Sequence, residues 1–222
     1  MSGMKWSEKV RQLDSAMGQR VGTGYRNTVR MTGAACTANA LLGTGKLLMG
    51  LLSGSFFTVV NALYTYGMVT AKFCALKGIA VPVQKQYAYY RSAAAILIAA
   101  SLCYAVYAAR LLWYPQSNRH HPYLAMGIAT VTFAEIGLNV WGVLMERKKK
   151  SLPFHALKTI NLASSLIGLV LTQTALLSFT HEETGYSSSR ADGILGLCMG
   201  GCAALLGCFM LWRAAKLEQE EP

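Results

Sequence analysis

A chain of 222 residues that is 53% hydrophobic and 14% charged has a membrane composition, not a cytosolic one. Its mean hydropathy of +0.33 agrees. The 21 Lys and Arg leave a net charge of +11, which in a soluble protein would raise nucleic acid as a partner. Because these residues lie between apolar segments, they instead set orientation in a lipid bilayer, and no nucleic-acid partner is expected.

The first 30 residues are polar and basic (Lys5, Lys9, Arg11, Arg20, Arg26 and Arg30) and lack the apolar run of a cleavable leader, so the N-terminus is expected in the cytoplasm. Met4, Val10, Leu13 and Met17 recur at helical spacing beside Trp6, which fits a basic amphipathic helix on an anionic leaflet; a disordered tail is the alternative.

A membrane-spanning helix needs about 20 mainly apolar residues. Six stretches qualify, at about 31 to 52, 56 to 76, 92 to 113, 123 to 145, 153 to 178 and 193 to 213. The expected fold is an all-α integral membrane protein, a six-transmembrane-helix bundle over 31–213 followed by a short cytoplasmic tail, 214–222, with no soluble domain. Leu52 to Ser55 allows only a tight turn, so the first two helices pair antiparallel. The second connection carries Lys77, Lys85 and Arg91, and the fourth Arg147, Lys148, Lys149 and Lys150. The third holds Arg119, His120 and His121, and the fifth Glu182, Glu183, Arg190 and Asp192. With Lys72, Lys158, Arg213 and Lys216 at cytoplasmic ends, all 21 Lys and Arg except Lys46, Arg110, Arg119 and Arg190 lie on one side. That bias predicts an N-in, C-in protein, with the plasma membrane as its expected location.

Gly196, Gly200, Gly201, Ala203, Ala204 and Gly207 in the sixth span, and Ala93 to Ala95, Ala99 and Ala100 in the third, mark close-packing faces. Packing within one bundle is the simpler use of these faces, with a dimer contact as the alternative. Cys36, Cys74, Cys103, Cys198, Cys202 and Cys208 fall in or beside apolar segments and read as buried small apolar residues.

Polar groups inside spans are the candidate sites, because each is expensive in hydrocarbon. They are Asn39 and Lys46; Asn61, Tyr64 and Thr65; Glu135 and Asn139; and Lys158, Asn161, Ser164, Ser165, Gln173 and Thr174. Glu135, near the middle of the fourth span, must be protonated, paired or exposed to water in a cavity. Ion or proton handling is one reading; a pair with Lys46, or a hydrogen-bond clamp between helices, is the other. Asn139 lies four residues on and shares its face, as Thr65 does for Asn61. Cys198 and Cys202 also share a face, but a soft-metal site needs three or four ligands. His120 and His121 diverge as neighbours, and His155 reads as interfacial. Gly43 to Lys46 looks like the end of a phosphate loop but lacks the strand context and lies in a span. No nucleophile, metal cluster or acid–base pair emerges, so neither an enzyme nor a cofactor is expected.

The segment Lys46-x-x-x-Gly50-Leu51-Leu52-Ser53-Gly54-Ser55, then Asn61-Ala62-Leu63, is similar without a gap to the first two helices of the cation diffusion facilitator family. That family reads K-x-x-x-G-x-x-[ST]-G-S and then D-A-x-H-x-x-x-D. A basic run followed by His155 to Ser165 resembles its fifth helix, and the likeness covers roughly residues 35 to 180. The resemblance implies a homodimeric, proton-coupled exporter of divalent cations such as zinc or manganese, with six spans, cytoplasmic termini and His or Asp pairs facing each other from helices two and five. This sequence departs there. The helix-two pair falls on Tyr64 and Met68, the preceding Asp on Asn61, and the helix-five pair on Leu157 and Asn161. No counterpart of the family's cytoplasmic metal-sensing domain is expected in this sequence.

The expected function is therefore that of a divergent transporter moving a divalent cation or small solute with proton coupling. Its path is lined by Asn61, Tyr64, Thr65, Met68, Glu135, Asn139 and Asn161, of which Glu135, Asn61 and Asn161 are weak metal donors. The alternative is a non-transporting interaction or regulatory protein that keeps the bundle.

Overall fold

The computed structural model describes residues 23–79, 81–114, 122–146, 152–184 and 188–220. The amphipathic segment before residue 23, His120, His121 and the Arg147 to Lys150 run lie outside the described residues. Six helices form: α1 (Thr23–Leu52), α2 (Phe56–Ile79), α3 (Val83–Trp113), α4 (Pro122–Glu146), α5 (Leu152–Thr184) and α6 (Ser188–Glu220). Four carry stretches long and apolar enough to cross a membrane, namely Thr32–Leu52, Lys85–Trp113, Leu152–Thr174 and Arg190–Gln219; α4 has a shorter one, Ala129–Leu144. This fits a membrane protein.

The distribution of side chains is the reverse of a soluble protein's. Leu41, Leu48, Leu63, Phe133, Leu205 and Trp212 face outward, while Lys46, Lys72, Glu135, Asp192 and four asparagines are buried. Lipid tails are as apolar as leucine, so an outward apolar surface costs nothing there, whereas polar groups gain by turning inward. The cysteines follow the same rule, and here the sequence-based expectation is corrected. Cys36 is buried and Cys74 half-buried, but Cys103, Cys198, Cys202 and Cys208 are exposed free thiols on the outer surface.

Several helices run past their apolar cores, because a helix bonds its own backbone wherever it runs and polar turns can extend it. Lys85 and Arg91, expected in a connection, lie in α3, and Arg190 and Asp192 lie in α6. Lys72, expected at a cytoplasmic surface, is buried.

The α1–α2 turn explains the Ser-Gly-Ser sequence. Gly54 has φ +63°, the left-handed conformation that ends helices. Ser55 N–H donates to the Gly50 carbonyl (2.9 Å) and Gly54 N–H to that of Leu51 (3.3 Å), satisfying carbonyls left open at the end of α1. Ser55 Oγ then caps α2, accepting from Thr58 N (3.4 Å).

The helices pack in a ring ordered α1, α2, α3, α6, α5, α4, with α5 also reaching across to α2 and α3, so that among the described residues α3 and α4, though consecutive, do not meet. α5 is the most enclosed. The expected small-residue faces meet each other: β-carbons built on Gly196, Gly200 and Gly207 of α6 would lie against Ala108, Ala105 and Ile98 of α3. They serve packing within the chain.

Gly50 allows the hairpin to close, since a β-carbon there would lie 2.9 Å from Val59 Cγ2 and 3.0 Å from Val59 N. Gly50→Val is expected to cost about 1–3 kcal/mol by overpacking. Thermal unfolding in detergent checks this, with a Gly45→Ala control, where a β-carbon meets open space.

Candidate functional site

The buried positions of α1 are Thr32, Cys36, Asn39, Gly43, Lys46 and Gly50, spaced alternately by four and three residues. That spacing keeps one seam of a helix against its neighbours. It carries Lys46 inward, where only 1% of its side chain is exposed. Thr132, Glu135 and Asn139 form the equivalent buried stripe on α4.

The two stripes meet in an ion pair, with Lys46 Nζ on Glu135 Oε2. Lys46 Nζ also donates to Asn61 Oδ1 of α2 at 3.3 Å. The other carboxylate oxygen, Glu135 Oε1, faces Thr65 Oγ1 of α2 at 3.4 Å and Ser164 Oγ of α5 at 3.5 Å. Thr65 sits closer to its own helix, donating to the Asn61 carbonyl at 3.0 Å. One charge pair thus ties four helices together. The sequence left open whether Glu135 is protonated, paired or wet; the structure pairs it with Lys46.

Two turns along α1 and one turn along α4 from the pair lies a second polar layer. Asn139 Oδ1 accepts from Lys72 Nζ (2.7 Å) and from Asn39 Nδ2 (3.1 Å). Together the layers make a polar seam between α1, α2, α4 and α5, containing Glu135, Asn61, Thr65 and Asn139 of the predicted path.

Three predicted path residues lie elsewhere. Met68 belongs to an apolar cluster with Ala71, Tyr90, Leu97 and Ile160. Tyr64 joins the same cluster, packs with its ring 5.6 Å from that of Tyr104 and tilted by 58°, and directs its hydroxyl to the Ala163 carbonyl at 3.4 Å. Asn161 is buried with its amide against the α4 backbone at Gly142, so Ser164 is the α5 side chain that reaches Glu135. His155 Nδ1 pairs with the Tyr90 hydroxyl at 3.0 Å. Among the described residues no three His, Cys, Asp or Glu side chains converge as a metal site.

A second carboxylate is buried in the bundle. Asp192 is 0% exposed, and its Oδ1 accepts from Thr174 Oγ1 of α5 at 2.9 Å. Sequence reasoning placed it in an external loop. The signal that could have found it is its place four residues before Gly196, on the face where α6 packs.

Breaking a buried ion pair leaves an uncompensated charge, whereas replacing both partners with apolar groups does not. Glu135→Leu alone is expected to cost about 3–5 kcal/mol, and Lys46→Met with Glu135→Leu to recover most of that loss. Thermal unfolding of the single and double variants in detergent measures the difference. Comparison with known protein families and with curated proteins finds no match to the sequence.

Proposed function

We propose that the chain is a six-span membrane transporter of divergent cation diffusion facilitator type, with both termini cytoplasmic, that exchanges a proton for a singly charged cation or small solute at Glu135. The buried Lys46–Glu135 pair carries this reading. A pair that only held helices together would add little over well-packed apolar side chains, and ionisable groups at such depth mark ion and proton pathways. The α2 and α4 helices, at 24 and 25 residues, have the length to cross a bilayer beside the four with longer apolar stretches.

The donor set shapes the cargo. Around the pair stand one carboxylate, one amide oxygen and two hydroxyls. A dication needs several anionic or imidazole ligands to offset its dehydration. A single carboxylate balances one positive charge, now the Lys46 ammonium. Protonating Glu135 frees that ammonium, and a monovalent cation at the carboxylate displaces it. Each step keeps the interior near neutrality. Association as a homodimer through the apolar outer surface belongs to the same proposal.

A second reading, a non-transporting membrane interaction protein, is favoured by the fact that Lys46 already neutralises Glu135. Reconstitution in liposomes under an imposed pH gradient separates the two. We expect proton-linked flux of a monovalent or ammonium-type cation, lost in the folded Lys46→Met, Glu135→Leu variant. If sodium, potassium, methylammonium, zinc and manganese all fail to move in the wild type, the second reading takes its place.

A further inference from the structure

The exchange at Glu135 leaves the second buried carboxylate, Asp192, without a part. Its Oδ1 is held by Thr174, but its Oδ2 has no hydrogen-bond partner among the described residues. The same holds for six other buried polar atoms: Asn39 Oδ1 and Asn139 Nδ2 in the second polar layer, and Asn61 Nδ2, Ser101 Oγ and the hydroxyls of Tyr104 and Tyr107. Buried polar groups are nearly always satisfied, by protein or by water, so an unsatisfied group calls for an explanation. Five of the seven lie on the side of the bundle that holds Asp192.

Tyr104 links them. On α6, Gly196 lies one turn beyond Asp192 on the same face, and a β-carbon there would sit 3.8 Å from the Tyr104 hydroxyl. On its other side that hydroxyl faces Asn61, near enough to interact but without closing a hydrogen bond. Asn61 in turn holds Lys46, the partner of Glu135. Asp192 lies within electrostatic reach of both the Tyr104 and Tyr107 phenols. Tyr64, Tyr104 and Tyr107 also form part of the wall of a groove of about 540 Å³ between α2 and α3, with Arg110 in its lining. The rest of that lining, Phe56, Val60, Leu63 and Val106 among it, is apolar. The place for water is instead among the buried groups that lack partners, which can share bridging molecules.

We propose that Asp192 is a second proton-binding carboxylate, joined to Glu135 by a hydrated line through the Tyr104 hydroxyl. A proton taken up on Asp192 Oδ2 passes to a bridging water. That water protonates the Tyr104 oxygen as the phenol releases its own proton onward, and a second water delivers a proton to the Glu135 carboxylate. One proton enters, one arrives, and Tyr104 ends neutral. Asn61 carries no proton; its Nδ2 donates a hydrogen bond that holds the line in place. The groups facing Asp192 are Tyr104 and Tyr107 from α3, with Arg110 beside Tyr107, and Thr174 from α5, while Arg190 on its own helix is exposed.

This deepens the transport reading by naming its proton route, yet it is tested without cargo, so the two fail separately. Infrared difference spectra of the full chain in lipid nanodiscs, stepped in pH, follow the stretch of protonated carboxyls. Bands are assigned by their loss in Asp192→Asn and Glu135→Gln. After transfer to deuterated water, Tyr104→Phe is expected to keep both bands but slow deuteration of the Glu135 carboxyl about tenfold, the effect of one lost link on the barrier. Asp192→Asn is expected to slow it similarly. If neither Asp192→Asn nor Glu135→Gln removes a band, if only one does, or if deuteration keeps its wild-type rate in Tyr104→Phe, the proposal is overturned.

Discussion

A charge in a low-dielectric interior must find an opposite charge, and in this protein that requirement fixes how four helices sit. Lys46 on α1 and Glu135 on α4 neutralise each other, while Asn61 and Thr65 of α2 and Ser164 of α5 complete the surroundings. A helix turns about 100° per residue, so rotating α4 by a single position would aim Glu135 away from Lys46. The pair therefore sets the rotation of α1 and α4 as firmly as their hydrophobicity sets their burial. The Lys72–Asn139–Asn39 layer, two turns away along α1, repeats the constraint with weaker groups.

The other side of the bundle is held by different physics. Among the described residues the α3–α6 contact has no ion pair at its centre, and its glycine and alanine faces let the two backbones approach closely, so that dispersion accumulates over many short contacts. Only at its end does a charge pair appear, where Arg91 meets Glu218, both half exposed. Such a contact has no second arrangement of equal energy. The polar seam does, because amides and hydroxyls can exchange partners among themselves. Rearrangement is thus cheaper in the quartet of α1, α2, α4 and α5 than in the α3–α6 pair. The tilted rings of Tyr64 and Tyr104 pack where the two halves meet.

The features most legible in the sequence were those with a dominant local signal. Apolar length marked the helices, and Ser53-Gly54-Ser55 marked the hairpin, because only a left-handed residue followed by a capping serine turns a chain so tightly. The charge at Glu135 announced itself by its depth, and Lys46 was one of few cations that could meet it. What escaped was whatever depended on how far a helix continues beyond its apolar core. The stretch from Glu182 to Gly193 is polar and glycine-bearing and reads as loop, yet α6 starts at Ser188 and buries Asp192. Lys72 was read by its charge as a surface residue, but an asparagine from the facing helix gave it an interior partner. The outward cysteines show the limit of reading apolar as buried, since a lipid-facing surface is apolar too.

The positions that the family resemblance aligns with metal ligands illustrate a further displacement. Tyr64 and Met68 pack into an apolar cluster and Asn161 lies against the α4 backbone, while the buried ion pair is formed by Lys46 and Glu135. The interior cation is covalently part of the chain. An external cation arriving at Glu135 would compete with an ammonium held at high effective concentration by its own helix, and would also need room for its own shell of oxygens. A proton needs neither room nor ligands: it converts the carboxylate to a neutral acid and removes the attraction that holds Lys46. In the proposed cycle this gives protonation the first step and cation entry the second. The order follows from the tether, and it gives a proton route from Asp192 through Tyr104 to Glu135 a direct mechanical consequence at Lys46.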